Sequence, residues 1–157
     1  MEKISEGKNF TAVNAGSFDK LTDYSFIHPK TGLEVRGKAF LKASTNATAT
    51  EISLTTLPPK SELPYFHFHN KDEETYIILK GCGYYQVDDE CFPISEGSII
   101  RVAPNGVRGM CNTSDAPMVY ICIQAKENSL EEYTTDDGGR KPVTPMWRNL
   151  PDAQNLC

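Results

Sequence analysis

Residues 65–81 read Tyr65-Phe66-His67-Phe68-His69-Asn70-Lys71-Asp72-Glu73-Glu74-Thr75-Tyr76-Ile77-Ile78-Leu79-Lys80-Gly81, and they hold two of the three histidines in the chain. On a helix, residues two apart diverge by ~200° and could not share a ligand. On a strand they point to one face. The flanking Tyr65, Phe66 and Phe68 suit a strand over 64–69, with both imidazoles on one side and the two phenylalanines on the other. The chain then turns through Asn70-Lys71-Asp72 and returns as 74–80, which lets Glu74 join the histidines. Two neutral imidazoles and one carboxylate on one face suit Fe(II), Mn(II), Zn(II), Ni(II) or Co(II) and leave coordination positions open. Glu73 is the rival carboxylate, but alternation sends it to the opposite face. A pair of structural histidines beside a surface acid is the plainer competing account.

The pattern around this stretch is β throughout. Upstream, Thr50-Glu51-Ile52-Ser53-Leu54-Thr55-Thr56-Leu57 alternates and is rich in β-branched residues, and Pro58-Pro59 stops it. In 33–41, apolar residues at 33, 35, 39 and 41 alternate with charged residues at 34, 36 and 38. That period of two describes one half-buried strand. Downstream, strand-like pieces at 83–88, 91–94, 98–103, 107–113 and 117–125 are separated by turn clusters such as Gly81-Cys82-Gly83 and Pro104-Asn105-Gly106. Short strands at this spacing predict an all-β sandwich or barrel. Residues 1–32 carry turn formers and isolated aromatics, and read as an arm with one or two short strands. Ser129-x-x-Glu132 has the form of a capping box and predicts the chain's one short helix. The prolines at 142, 145 and 151 mark an irregular tail, in which Trp147 is expected to anchor to the barrel or to a partner subunit.

Composition narrows the function classes. A chain of 157 residues with 39% hydrophobic and 24% charged residues suits one globular domain. The net charge of −5, without a Lys/Arg block, argues against nucleic-acid and anionic-membrane surfaces. The N-terminus lacks a basic stretch followed by an apolar run, so a cytoplasmic protein is expected. The five cysteines, 82, 91, 111, 122 and 157, show no C-x-x-C spacing. They read as reduced thiols, several acting as small hydrophobes.

At this point the sequence resembles the cupin superfamily, and within it the small "cupin 2 conserved barrel" proteins. The first cupin motif, H-x-H, three or four residues, Glu, six residues, Gly, is met by His67, His69, Glu74 and Gly81, and it selects Glu74 over Glu73. The usual upstream glycine is missing; Pro59 and Pro64 occupy that stretch. The second motif is met by Gly97, Pro104-Asn105-Gly106 and Asn112, with one extra residue before Pro104 and with Arg108 where a histidine is usual. The resemblance spans roughly residues 40–125. It implies an antiparallel double-stranded β-helix, or jelly-roll barrel, over 33–126, with arm 1–32 before it and a short helix plus tail, 127–157, after it. It also implies one divalent metal ion (Fe, Mn, Zn, Ni or Co) on His67, His69 and Glu74. A homodimer follows from the same resemblance, with arm 1–32 as the segment to exchange.

Arg108 is the departure that matters. Guanidinium stays protonated and offers no lone pair, so it cannot stand in as a metal ligand. In one outcome the metal still binds, and Arg108 captures an anionic group of the substrate bidentately. In the other, Arg108 pairs with Glu74 and the barrel is a metal-free binding pocket or sensor. A surface arginine at the barrel mouth is the plainer account. Tyr76 shares the face of Glu74, Tyr65 that of His67, Met110 that of Arg108, and Tyr85 lies on the next strand. These four are candidates for substrate contact, with core packing as the alternative for each. The functional expectation is a small metal-binding cupin that binds or acts on a small polar, anionic molecule. The chemistry open to such a centre covers isomerisation, hydrolysis and dioxygen activation.

Overall fold

A computed structural model describes residues 1–149 of the chain. It contains thirteen strands, in chain order β1 (Glu2–Gly7), β2 (Phe10–Asn14), β3 (Ser25–Ile27), β4 (Glu34–Arg36), β5 (Lys38–Phe40), β6 (Thr50–Leu57), β7 (Ser61–Glu62), β8 (Asp72–Lys80), β9 (Cys82–Val87), β10 (Glu90–Ser95), β11 (Ile99–Val102), β12 (Arg108–Asn112) and β13 (Met118–Lys126). All pair antiparallel. Two sheets form the barrel: five strands ordered β11-β8-β13-β6-β5 and four ordered β10-β9-β12-β7. Between them lies the main core, which includes Leu57, Ile78, Tyr85, Ile94, Met110 and Met118. The protein is an all-β barrel of the jelly-roll kind that the sequence predicts.

The arm does more than flank the barrel. A 3₁₀ segment, Phe18–Asp23, buries Leu21 completely against Ala39, Leu54 and Val119 on the outer face of the five-stranded sheet. That sheet is therefore covered on both sides. This explains why five consecutive residues of β6, Ser53 to Leu57, are all buried rather than alternating with water.

The predicted single strand 33–41 is broken at Gly37. Its φ of +81° and its contact with Thr56 leave no space for a side chain. Gly37 accepts from Thr56 N–H at 2.7 Å and donates to the Tyr24 carbonyl at 2.8 Å, so the kink is held from both sides. The break shifts the phase of the strand. Lys38, which unbroken alternation places toward water, lines the barrel cavity, and Ala39 packs under the arm.

Three other expectations are corrected. Residues 64–69 are not a strand; they make one isolated bridge, His67 to Arg108. Pro64 has no N–H to give to a ladder. Ser129-x-x-Glu132 opens no helix: 129–133 are irregular, and only a 3₁₀ turn, Thr135–Asp137, follows. Leu130 and Tyr133 are both exposed, and a short helix with no face to bury is marginal in water. A one-turn helix, Lys42–Thr45 (α1), forms instead in the crossing from β5 to β6. Of the two anchors expected for Trp147, the barrel is not one: the side chain is 74% exposed, and a contact with a partner subunit is untouched by this. Among the described residues, no helix is long and apolar enough to cross a membrane.

Candidate functional site

The segment carrying the histidines is stapled along β12. Leu63 N–H donates to the Met110 carbonyl at 3.0 Å, and His67 and Arg108 exchange backbone hydrogen bonds at 3.2 and 2.9 Å. Asn105 N–H then holds the His69 carbonyl at 2.7 Å. Phe66 packs on Gly109, where a Cβ would sit 3.0 Å from the ring. These contacts fix the alternation without a regular ladder. The imidazoles of His67 and His69 face one way, centroids 5.6 Å apart, while Phe66 and Phe68 are exposed on the other side.

Glu74 meets them from β8. His69 Nε2 lies 3.2 Å from Glu74 Oε1, and His67 Nε2 lies 3.7 Å from Oε2. One ligand atom from each of the three side chains falls within 4.8 Å of the others, so the set could hold a metal ion. Glu74 is 5% exposed and Arg108 only 1%. Arg108 donates to Glu74 Oε2 through Nε at 3.1 Å and also through Nη2, and to the Gly106 carbonyl through Nη1 at 3.1 Å. Tyr76 donates to the same carboxylate oxygen at 2.5 Å.

Burial alone would raise the pKa of Glu74. The nearby His67 ring, hydrogen bonds from Tyr76 and Arg108, and the guanidinium charge outweigh it and hold the carboxyl well below the usual carboxylate range. Burial pushes the Tyr76 phenol up, with Cys122, Tyr85 and Glu74 adding to the effect, so its proton stays on as a donor. Burial likewise pushes the Cys122 thiol up to about 12, as expected of a small hydrophobe rather than a nucleophile.

This donor set fits a divalent ion. Oε2 is held by Arg108 and Tyr76 and is also the oxygen nearer His67, while Oε1 faces His69, and a ligating carboxylate is commonly oriented by such outer hydrogen bonds. Two neutral imidazoles and one oxygen match the preferences of first-row divalent metals. Arg108 opposes them with a like charge, worth about 4 kcal/mol per unit charge at ~4 Å and an effective dielectric of ~20. The Glu74 carboxylate lies between the two and offsets it.

A cavity of about 390 Å³ opens beside the triad, and His67, Tyr76 and Tyr65 line it. Tyr65 stands 5.8 Å from His67, ring to ring. Arg108 lies outside its lining; its donors are spent on Glu74 and Gly106, and it is a buried residue, not one at the barrel mouth. Tyr85 is completely buried in the core with its hydroxyl unpartnered, stacked on Phe92 and edge-on to Tyr76. Met110 packs in the core and lines a separate recess of about 250 Å³ on the other side of Tyr65. The sequence reading missed Lys38, Thr55 and Tyr120, which all line the larger cavity. Their shared row, Lys38 opposite Thr55 opposite Tyr120, follows from strand register, which the sequence does not print.

The barrel is similar to known proteins. A family model described as a cupin domain matches residues 53–124. The crystal structure of a cupin protein from Bacteroides fragilis is 35% identical, with a TM-score of 0.64, over 73% of this chain and 97% of that one. A cupin 2 conserved barrel domain protein from Salinispora arenicola shares the fold at 16% identity and a TM-score of 0.56, over 74% of this chain and 91% of that one. An uncharacterized protein of Methanocaldococcus jannaschii is 28% identical over 74 residues, 47% of this chain and 59% of that relative's length. A barrel of two antiparallel sheets with an H-x-H…Glu cluster inside defines a cupin domain. The chain belongs to the cupin family.

Proposed function

We propose that the protein binds one divalent metal ion through His67, His69 and Glu74 and receives a small polar, anionic molecule in the adjoining cavity. The observation that carries this reading is the division of labour on Glu74: Arg108 and Tyr76 hold one oxygen and leave the other to His69, with one ligand atom each of His67, His69 and Glu74 within 4.8 Å of the others. A bound metal would supply Lewis acidity and open coordination positions to a ligand. His67 and His69 act as neutral ligands, Arg108 and Tyr76 position the carboxylate, and Tyr65 shields the ring of His67. A homodimer belongs to the same reading.

The burial of Arg108 favours a second reading, a metal-free binding cupin in which the guanidinium itself neutralises Glu74. Metal analysis separates the two. Protein freed of its tag is equilibrated with Fe(II), Mn(II), Co(II), Ni(II) or Zn(II), desalted, and measured by plasma mass spectrometry. The metal reading expects close to one equivalent of one of these ions in the wild type and almost none in His67→Ala. Sub-stoichiometric metal that His67→Ala leaves unchanged rejects it and leaves the metal-free reading.

A further inference from the structure

The Lys38 end of the cavity carries a buried hydroxyl with no hydrogen-bond partner and a cation with no carboxylate partner among the described residues. Thr55 is 6% exposed and lines the cavity, yet its Oγ1 is buried with no hydrogen-bond partner. A buried hydroxyl left in that state costs free energy, commonly about 1–3 kcal/mol. Directly across the strand pair lies Lys38, half-buried and lining the same space. Its Nζ rests 5.0 Å from the Phe40 ring centroid and makes no ion pair among the described residues. The other lining cation, Arg36, is bonded to Glu34, and the single lining carboxylate, Glu62, sits exposed on the opposite sheet. Between Lys38 and His67 the walls are largely apolar, with Leu57, Leu63 and the Tyr76 ring. The volume of about 390 Å³ equals about thirteen water volumes at ~30 Å³ each.

We propose that this end is the anion subsite. The cavity takes a small organic carboxylate whose head group lies between Lys38 Nζ and Thr55 Oγ1, with its apolar body on Leu57, Leu63 and Tyr76 and its tail toward His67. The inference rests on reading this cavity as the ligand site, but it does not need the metal. It also moves the role of anion capture from Arg108, whose donors are spent, to Lys38, whose charge is free. Thr55 adds a hydrogen bond that only an acceptor reaching this depth can take.

The test uses the full chain with metal removed by chelator. Hexanoate and 1-hexanol, equal in carbon number and differing in charge, are titrated into wild type, Lys38→Met and Thr55→Val, followed by amide chemical shifts. Near-ultraviolet circular dichroism checks each variant's fold. Hexanoate should bind saturably, shift the amides around residues 38, 55 and 120, and exceed 1-hexanol at least tenfold in affinity. Lys38→Met should remove most of that preference, and Thr55→Val should weaken hexanoate about tenfold, the size of one hydrogen bond to a charged group. Equal binding of the two probes, no saturable hexanoate binding, or an unchanged preference in both folded variants overturns the inference. Metal content measured on the same Lys38→Met protein keeps the two readings apart. A full equivalent there with no hexanoate site sinks only the subsite, and a Lys38-dependent site in a protein that takes up no metal sinks only the metal.

Discussion

Glu73 and Glu74 are neighbours in the chain, and each meets an arginine, but the pleat of β8 sends them to opposite sides of the barrel wall. Glu73 pairs outside with Arg101, which also reaches Glu127; Arg101 is half exposed. Glu74 pairs inside with Arg108, where neither side chain sees much water. The contacts are chemically alike, and their consequences differ because the solvent differs. Outside, water and salt screen the pair, and either partner can be re-solvated if the other is lost. Inside, each charge depends on its partner, and removing one leaves the other stranded. The outer pair decorates the surface, whereas the inner pair sets the orientation and protonation of the carboxylate at the centre of the site.

The largest expected effect comes from breaking the inner pair. Arg108→Met keeps bulk but strands the Glu74 carboxylate, and should cost about 3–5 kcal/mol. Thermal unfolding of chelator-treated protein should show the midpoint fall by ~10 °C at 2–4 °C per kcal/mol. A drop of a degree or two would mean that the pair is not held as described. An intermediate effect lies in the acid limb of stability. Glu74's folded pKa is below its unfolded value of ~4.3, so its contribution is fully present above that value and is lost only as pH falls toward the folded pKa. Urea unfolding of metal-free wild type and Arg108→Met between pH 7 and pH 3 should show their gap widest near pH 7 and narrowing as acid protonates Glu74, first in the variant, where burial without the guanidinium raises its pKa, and then below ~4 in the wild type. A gap that widens in acid contradicts the assignment. The smallest effect is outside: Arg101→Gln should leave the midpoint without measurable change at ordinary salt, and a loss rivalling that of Arg108→Met would erase the contrast between the two faces.

How far the sequence could be read depended on whether a feature was local. The H-x-H…Glu spacing is local and survives even though 64–69 is held by staples to β12 rather than by a ladder, because side-chain alternation outlasts loss of strand pairing. Asn112 was recognisable as a motif residue, but its work is remote: its side-chain amide donates to the carbonyls of Leu57, Pro58 and Ala116, tying the end of β6 to the turn before β13. Lys38 was misread because Gly37 resets the strand phase and because the arm, through Leu21, makes the other face of β5 an interior one. The fate of Arg108 was legible only as a choice among a ligand-facing side chain, a Glu74-facing one and a surface arginine at the barrel mouth. The contest is settled by the carbonyl of Gly106 and the hydroxyl of Tyr76, which complete a buried polar set around the guanidinium and carboxylate.

On the proposed reading, the inner carboxylate has one oxygen to spare for a metal that two imidazoles share. Crystals of wild-type protein loaded with Mn(II) or Zn(II), with data collected on both sides of that metal's absorption edge, test it most directly. One anomalous peak per chain is expected, ~2.0–2.2 Å from Nε2 of His67, Nε2 of His69 and Oε1 of Glu74, with Arg108 and Tyr76 still on Oε2. A barrel that shows no peak there, with His69 still bonded to Glu74 and Arg108 unmoved, would contradict it.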